Sequence, residues 1–140
     1  MERRKELQRS YERTTYSVDL PGRRIRFRIG VFSRELDELL EERGVTEWAF
    51  ITAHNPRSEQ QSPERNEISH RMLLEKVREL ALEPLPGRGV DDDDSWPTEH
   101  GLFIPGMPAA LAHGLGCQFE QNAVLRGELR GAPELLLCAL

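Results

Sequence analysis

Residues Trp48-Ala49-Phe50-Ile51-Thr52-Ala53 constrain the fold more than any other stretch of the chain. Their apolar side chains run consecutively rather than alternately, so a strand here needs cover on both faces and belongs inside a sheet. The next residues are just as directive. His54-Asn55-Pro56-Arg57-Ser58 is a polar loop, and Ser62-Pro63-Glu64 reads as a helix start with a hydroxyl cap, proline at the first position and an acid in the first turn. That helix is predicted from about Pro63 to Leu82, with Ile68, Met72, Leu73, Val77 and Leu80 as its core stripe.

The flanking sequence supplies the other layers. Arg4 to Thr14 reads as a helix with Leu7 and Tyr11 on one face, and Thr15 to Val18 as a strand. After the Pro21-Gly22 turn, Ile25, Phe27 and Ile29 alternate with Arg24, Arg26 and Arg28, the pattern of a half-buried strand with a charged outer face. Ser33 caps a helix from Arg34 to Arg43 that Gly44 ends, burying Leu36, Leu39 and Leu40. Pro84 to Ser95 reads as a loop or weak hairpin, and Leu102 to Ile104 as a short strand. Pro108 starts a helix that Gly114 and Gly116 fray, followed by strands at Asn122 to Leu125 and Leu135 to Leu140. The sum is one layered domain over residues 1–140, of α/β class with α+β as the neighbouring possibility. It has a mixed sheet of five or six strands and three or four helices.

Charge and composition exclude more than they assign. Residues 1–28 hold nine Arg/Lys against four Asp/Glu, and the rest hold ten against twenty. The acids Glu2, Glu6, Glu12 and Asp19 interrupt the basic arm and no aromatics alternate with its arginines, which argues against a nucleic-acid partner. No run approaches the ~18 apolar residues of a membrane span, and the charged start lacks a signal peptide's apolar stretch, so a soluble, cytoplasmic protein is expected. Cys117 and Cys138 lack CxxC or zinc-finger spacing and read as reduced thiols, Cys138 as a small buried hydrophobe. A nucleophilic Cys117 would need an activating base that the sequence does not single out. The run Asp91 to Asp94 lacks the spacers of a calcium loop, so no metal site is expected there, and no glycine-rich fingerprint suggests a cofactor.

Several polar residues stand where a site is expected. Thr52 and Asn55 lie where the central strand leaves the sheet, and Arg57 follows in the loop. The next helix start favours an anion, and Asn66 and His70, four apart, share a face beside it. Trp96 can stack a planar ligand beside Glu99, the best candidate for a general base. Gln121 and Asn122 offer paired donors and acceptors at a strand start. Each also has a plain structural reading: Asn55-Pro56 as a turn, Asn66 and His70 as surface residues, Trp96 as a loop anchor, and the Gln121-Asn122 amides as caps.

Tyr11 through Tyr16, Trp48 through Ser58, Asn66, Leu73, Trp96-Pro97-x-Glu99 and Phe119-x-Gln121-Asn122-Ala123 occur in that order. In this the chain resembles the bacterial domain-of-unknown-function family 3293 over nearly its whole length. Where the family pattern has a serine after the Trp-Pro acidic segment, this chain reads His100-Gly101; where it has a glycine, Glu120 stands. The resemblance implies that Thr52, Asn55, Asn66, Trp96, Glu99, Gln121 and Asn122 converge, and it implies no reaction. The function expected is a polar pocket for a small anionic or nucleotide-like ligand, with Glu99 as the general base if the pocket is catalytic. The alternative is a non-enzymatic interaction module that docks through the basic N-terminal hairpin.

Overall fold

The computed structural model describes residues 2–138. Four helices, α1 (Glu2–Glu12), α2 (Arg34–Arg43), α3 (Pro63–Glu79) and α4 (Ala109–Gln118), pack around seven strands. The strands are β1 (Thr14–Leu20), β2 (Arg23–Phe27), β3 (Glu47–Ile51), β4 (Leu85–Asp91), β5 (Glu99–Pro105), β6 (Ala123–Glu128) and β7 (Glu134–Leu137). They form one curled sheet in the order β2-β1-β4-β5-β3-β6-β7.

The class is mixed α and β, with more strands than the five or six expected. The sheet is also antiparallel at every pairing rather than mixed. The reason lies in one insertion. The β3–α3–β4 crossover would make β3 and β4 parallel neighbours, but β5 folds back from β4 and takes the place between them. The extra strand is β4, expected as loop or weak hairpin because Pro86, Gly87 and Gly89 are poor strand formers. Close approach explains these glycines. A Cβ on Gly87 would run into the Ser17 backbone carbonyl of β1 and stand 2.9 Å from the Phe50 ring, and one on Gly89 would stand 3.2 Å from the Tyr16 ring. One on Gly101, the cross-strand partner of Gly87, would stand 2.7 Å from Phe50.

β3 is buried on both faces, as its unbroken apolar run requires. Trp48 and Phe50 enter one core with Tyr16, Phe27 and Phe103, which α2 closes through Leu36, Leu39 and Leu40. Ala49 and Ile51 enter the opposite core with Leu73 and Val77 of α3 and Ala112 and Leu115 of α4. The caps of α2 form as the sequence predicts: Ser33 accepts from the Leu36 N–H, and Gly44 takes a left-handed φ of 69°.

Elsewhere the boundaries move. Of the stripe expected on α3, Leu73 and Val77 are buried, whereas Ile68, Met72 and Leu80 are exposed because only one narrow edge of the helix meets the sheet. α4 continues through Gly114 and Gly116 instead of fraying, since Gly116 sits where a Cβ would collide with Val124. The last strand ends at Leu137; residues 139 and 140 of the expected strand lie outside the described residues. Among the described residues no helix is long and apolar enough to cross a membrane.

Candidate functional site

α2 covers one end of the aromatic sheet face, and a cavity of about 540 Å³ occupies the other. That volume falls among small-molecule sites, roughly 300–1,000 Å³. Strand alternation decides what reaches it: Tyr16 from β1, Asp91 from β4, Phe50 from β3 and Glu99 from β5 share the face, and Thr52 continues the β3 series. α1 lies across the top and contributes Arg3, Leu7 and Tyr11, positions that recur at helical spacing.

The cavity wall is built on the loop after β3. Asn55 adopts φ 47°, a left-handed conformation that asparagine tolerates better than most residues. Its backbone N–H donates to Asn66 Oδ1 at 2.9 Å, and its Oδ1 accepts from the Asn66 amide at 3.1 Å and the Gln61 N–H at 3.0 Å. Its own amide donates to Glu99 Oε2 at 2.8 Å. The Trp96 indole N–H donates to the same oxygen at 3.0 Å. Burial pushes the Glu99 carboxyl above its ordinary value, and the bonds from Trp96 and Asn55 pull it back only in part. Both bonds fall on Oε2; among the described residues none falls on Oε1. Tyr11 comes close enough that its phenol is raised first by burial and then by the Glu99 charge.

Gln121 and Asn122 secure the far side of the loop. The Gln121 amide donates to the His54 carbonyl at 3.1 Å, and the Asn122 amide to Ser58 Oγ at 2.9 Å. The Arg57 N–H donates to the Glu120 carbonyl at 2.8 Å, and the two side chains form an exposed ion pair at 3.4 Å. Glu120 has φ 57°, a left-handed backbone conformation that suits glycine better than glutamate.

Thr52, Asn55, Arg57, Trp96, Glu99, Gln121 and Asn122 therefore line one cavity. Asn66 stands behind the wall, holding Asn55 from α3. His70 belongs to the opposite face of the sheet. His100 alternates with Glu99 along β5 and so points away from the cavity, and His54 packs between it and His70 with ring centroids 5.8 and 6.0 Å apart. Burial, followed by His70 and His100, pushes the His54 imidazole down to about 4. His70 is also lowered, by burial first, and its Nδ1 is buried without a hydrogen-bond partner among the described residues. The residues that sequence reasoning missed are the aromatic walls Tyr11, Tyr16 and Phe50 and the roof residue Arg3. The helical recurrence of Arg3, Leu7 and Tyr11 was the available signal.

The anion cradle expected at the loop has its donors already in use. The Asn55 amide serves Glu99, Arg57 pairs with Glu120, and Ser62 caps α3 through the Arg65 N–H. The basic hairpin is likewise engaged. Arg24 pairs with Asp19 at 2.7 Å, Arg23 with Glu42 at 3.6 Å, and Arg28 with Asp92 at 2.7 Å. One of these pairs, Arg28–Asp92, joins the basic arm to the acidic run far along the sequence. Asp91 has a separate task, accepting from the Ser95 N–H and hydroxyl at 2.7 and 2.6 Å.

The family described as "protein of unknown function (DUF3293)" matches residues 51–124. The chain belongs to this family. The matched span holds the whole Asn55–Asn66–Trp96–Glu99 network together with Gln121 and Asn122, while Tyr11 and Tyr16 lie outside it. Neither the curated proteins nor the solved structures include a match to the chain.

Proposed function

We propose that the cavity beneath α1 binds a small planar, nucleotide-like ligand whose heterocycle lies among the aromatic walls and offers N–H donors to Glu99. The observation that carries this reading is the state of the Glu99 carboxylate. Oε2 is fixed by Asn55 and Trp96, while among the described residues Oε1 accepts no hydrogen bond, in a cavity walled by Tyr16, Phe50 and Trp96. A partly buried carboxylate oriented in this way favours a ligand that donates, and it opposes one that places negative charge beside it. Purine and pyrimidine edges with amino or ring N–H groups have that chemistry. A charge-assisted bond of about 1.5–3 kcal/mol and stacking of about 0.5–1.5 kcal/mol per ring supply the affinity. Among the described residues Arg3, from α1, is the lining cation not already paired in the loop network and suits the negative end of a nucleotide, while Glu6, Glu59 and Asp91 on the same lining favour the donor edge of the ligand.

Calorimetry with the four ribonucleosides, their monophosphates and inorganic phosphate tests the reading. Binding is expected for at least one nucleoside bearing an N–H edge, with phosphate alone inert. Glu99→Gln keeps an acceptor for Asn55 and Trp96 but turns a donor toward the ligand, so it should weaken binding at least tenfold and leave the fold intact. Equal binding by Glu99→Gln, or binding by phosphate and no nucleoside, would overturn the proposal.

A further inference from the structure

A second pair of groups lies on α4, on the sheet face away from the cavity. Cys117 is exposed, and one turn earlier His113 brings its ring to the sulfur, Nε2 at 3.9 Å and Nδ1 at 4.0 Å. This is the neighbouring base that the sequence alone did not identify. Cys138 follows β7, held by its N–H donating to the Asn122 carbonyl at 2.9 Å. A Cβ on Gly116 would stand 2.7 Å from Cys138 Sγ, so that sulfur rests on the α4 backbone at the residue preceding Cys117. Cys138 therefore packs against the turn of α4 that carries Cys117.

We propose that Cys117 and Cys138 are a redox-active dithiol that closes to an intramolecular disulfide by exchange with a low-molecular-weight disulfide. Exposure and the adjacent imidazole make Cys117 the attacking group. Its thiol proton passes to His113, the thiolate attacks one sulfur of the small disulfide, and that S–S bond breaks. The departing thiolate recovers the proton as free thiol. Cys138 then loses its proton to solvent and attacks Cys117 Sγ, forming the internal bond and expelling the second small thiolate, which is protonated. The protein dithiol is oxidised by two electrons, and the small disulfide is reduced to two thiols. Burial, then the Cys117 charge, pushes Cys138 up to about 12, so it does not compete for the first step. The product would tie the end of edge strand β7 to α4 beside Asn122, whose side chain reaches Ser58 on the cavity wall.

The test is to incubate the reduced protein with oxidised glutathione, quench with an alkylating agent, and read intact mass and linked peptides. Wild type should lose both free thiols as a monomer, yield a Cys117–Cys138 linked peptide and retain no glutathione. Cys138→Ser should stop with one glutathione on Cys117; Cys138→Ala gives the same readout if the serine variant does not fold. Cys117→Ser should stay unmodified over the same interval. His113→Gln, which removes the neighbouring base, should slow the first step about tenfold. A persistent glutathione adduct on wild type, a disulfide-linked dimer, or two thiols that remain free would overturn the proposal.

Discussion

Asn55 and Asn66 grip each other through opposed hydrogen bonds, backbone N–H to side-chain oxygen at 2.9 Å one way and side-chain amide to side-chain oxygen at 3.1 Å the other. Both residues are buried, so the pair fixes a left-handed turn to the second turn of α3 where water cannot substitute freely. Through Asn55 the same grip orients Glu99.

Removing half of that pair should be costly. Asn66→Ala leaves the Asn55 N–H without its acceptor and the Gln61 amide without its own. A loss of about 2–3 kcal/mol is expected in urea unfolding, as a lower midpoint at unchanged slope. A midpoint within error of wild type would show that the pair does not hold the loop.

Acid should loosen the opposite face of the sheet. The His54 imidazole is held at about 4 in the folded chain against an ordinary 6.5, so the folded state resists a proton that the unfolded state accepts. Its stabilising contribution is full above 6.5 and is lost as pH falls through the window between those values. His54→Gln should therefore lose less stability than wild type between those pH values. Parallel stability curves for the two proteins would refute this assignment.

Glu120 occupies a backbone conformation that suits glycine, and its exposed pair with Arg57 contributes little in return. Glu120→Gly should stabilise the chain by about 0.5–1 kcal/mol, read as a raised melting temperature. A lowered melting temperature would mean that the ion pair outweighs the strain.

Gly101 is the reverse case, a position where added volume meets a ring. Gly101→Ala brings a methyl to 2.7 Å from Phe50, and the Ile51 carbonyl at 3.0 Å blocks the other direction. Destabilisation of about 1–3 kcal/mol is expected, together with weaker nucleoside binding, because Phe50 also lines the cavity. An alanine variant as stable as wild type would show that the ring is free to move.

What the sequence made legible was local. Ser33 and Gly44 bracket α2 because caps act within one turn, and β3 declared its double burial because four apolar residues in succession, Trp48 to Ile51, have no other use. The strand β4 was hidden, since its glycines are chosen by the Ser17 carbonyl and the Phe50 and Tyr16 rings, groups that approach from other strands. Asn55, Glu99 and Gln121 could be placed near one cavity because each sits at the end of a strand or loop on the same side. His70 could not be separated from Asn66, because helical spacing shows that two residues share a face and not which layer of the sheet that face meets. Phe50 reads as core and is core, and Tyr16 from the strand beside it joins that core; that both also wall a cavity depends on where α2 stops, which no periodicity records.

The roof of that cavity carries a consequence of its own. α1 has 11 residues and buries none, although Tyr11 packs onto the core beneath it. A helix of that length holds little structure by itself, since isolated helices shorter than roughly 12–15 residues are marginal in water. Its free energy of opening is therefore a local quantity, separate from the cooperative unfolding of the sheet. Occupancy and helicity become one coordinate. A molecule that fills the cavity adds contacts to Leu7 and Tyr11 and slows amide exchange along residues 2–12, while exchange in the buried strand β3 stays where global unfolding sets it.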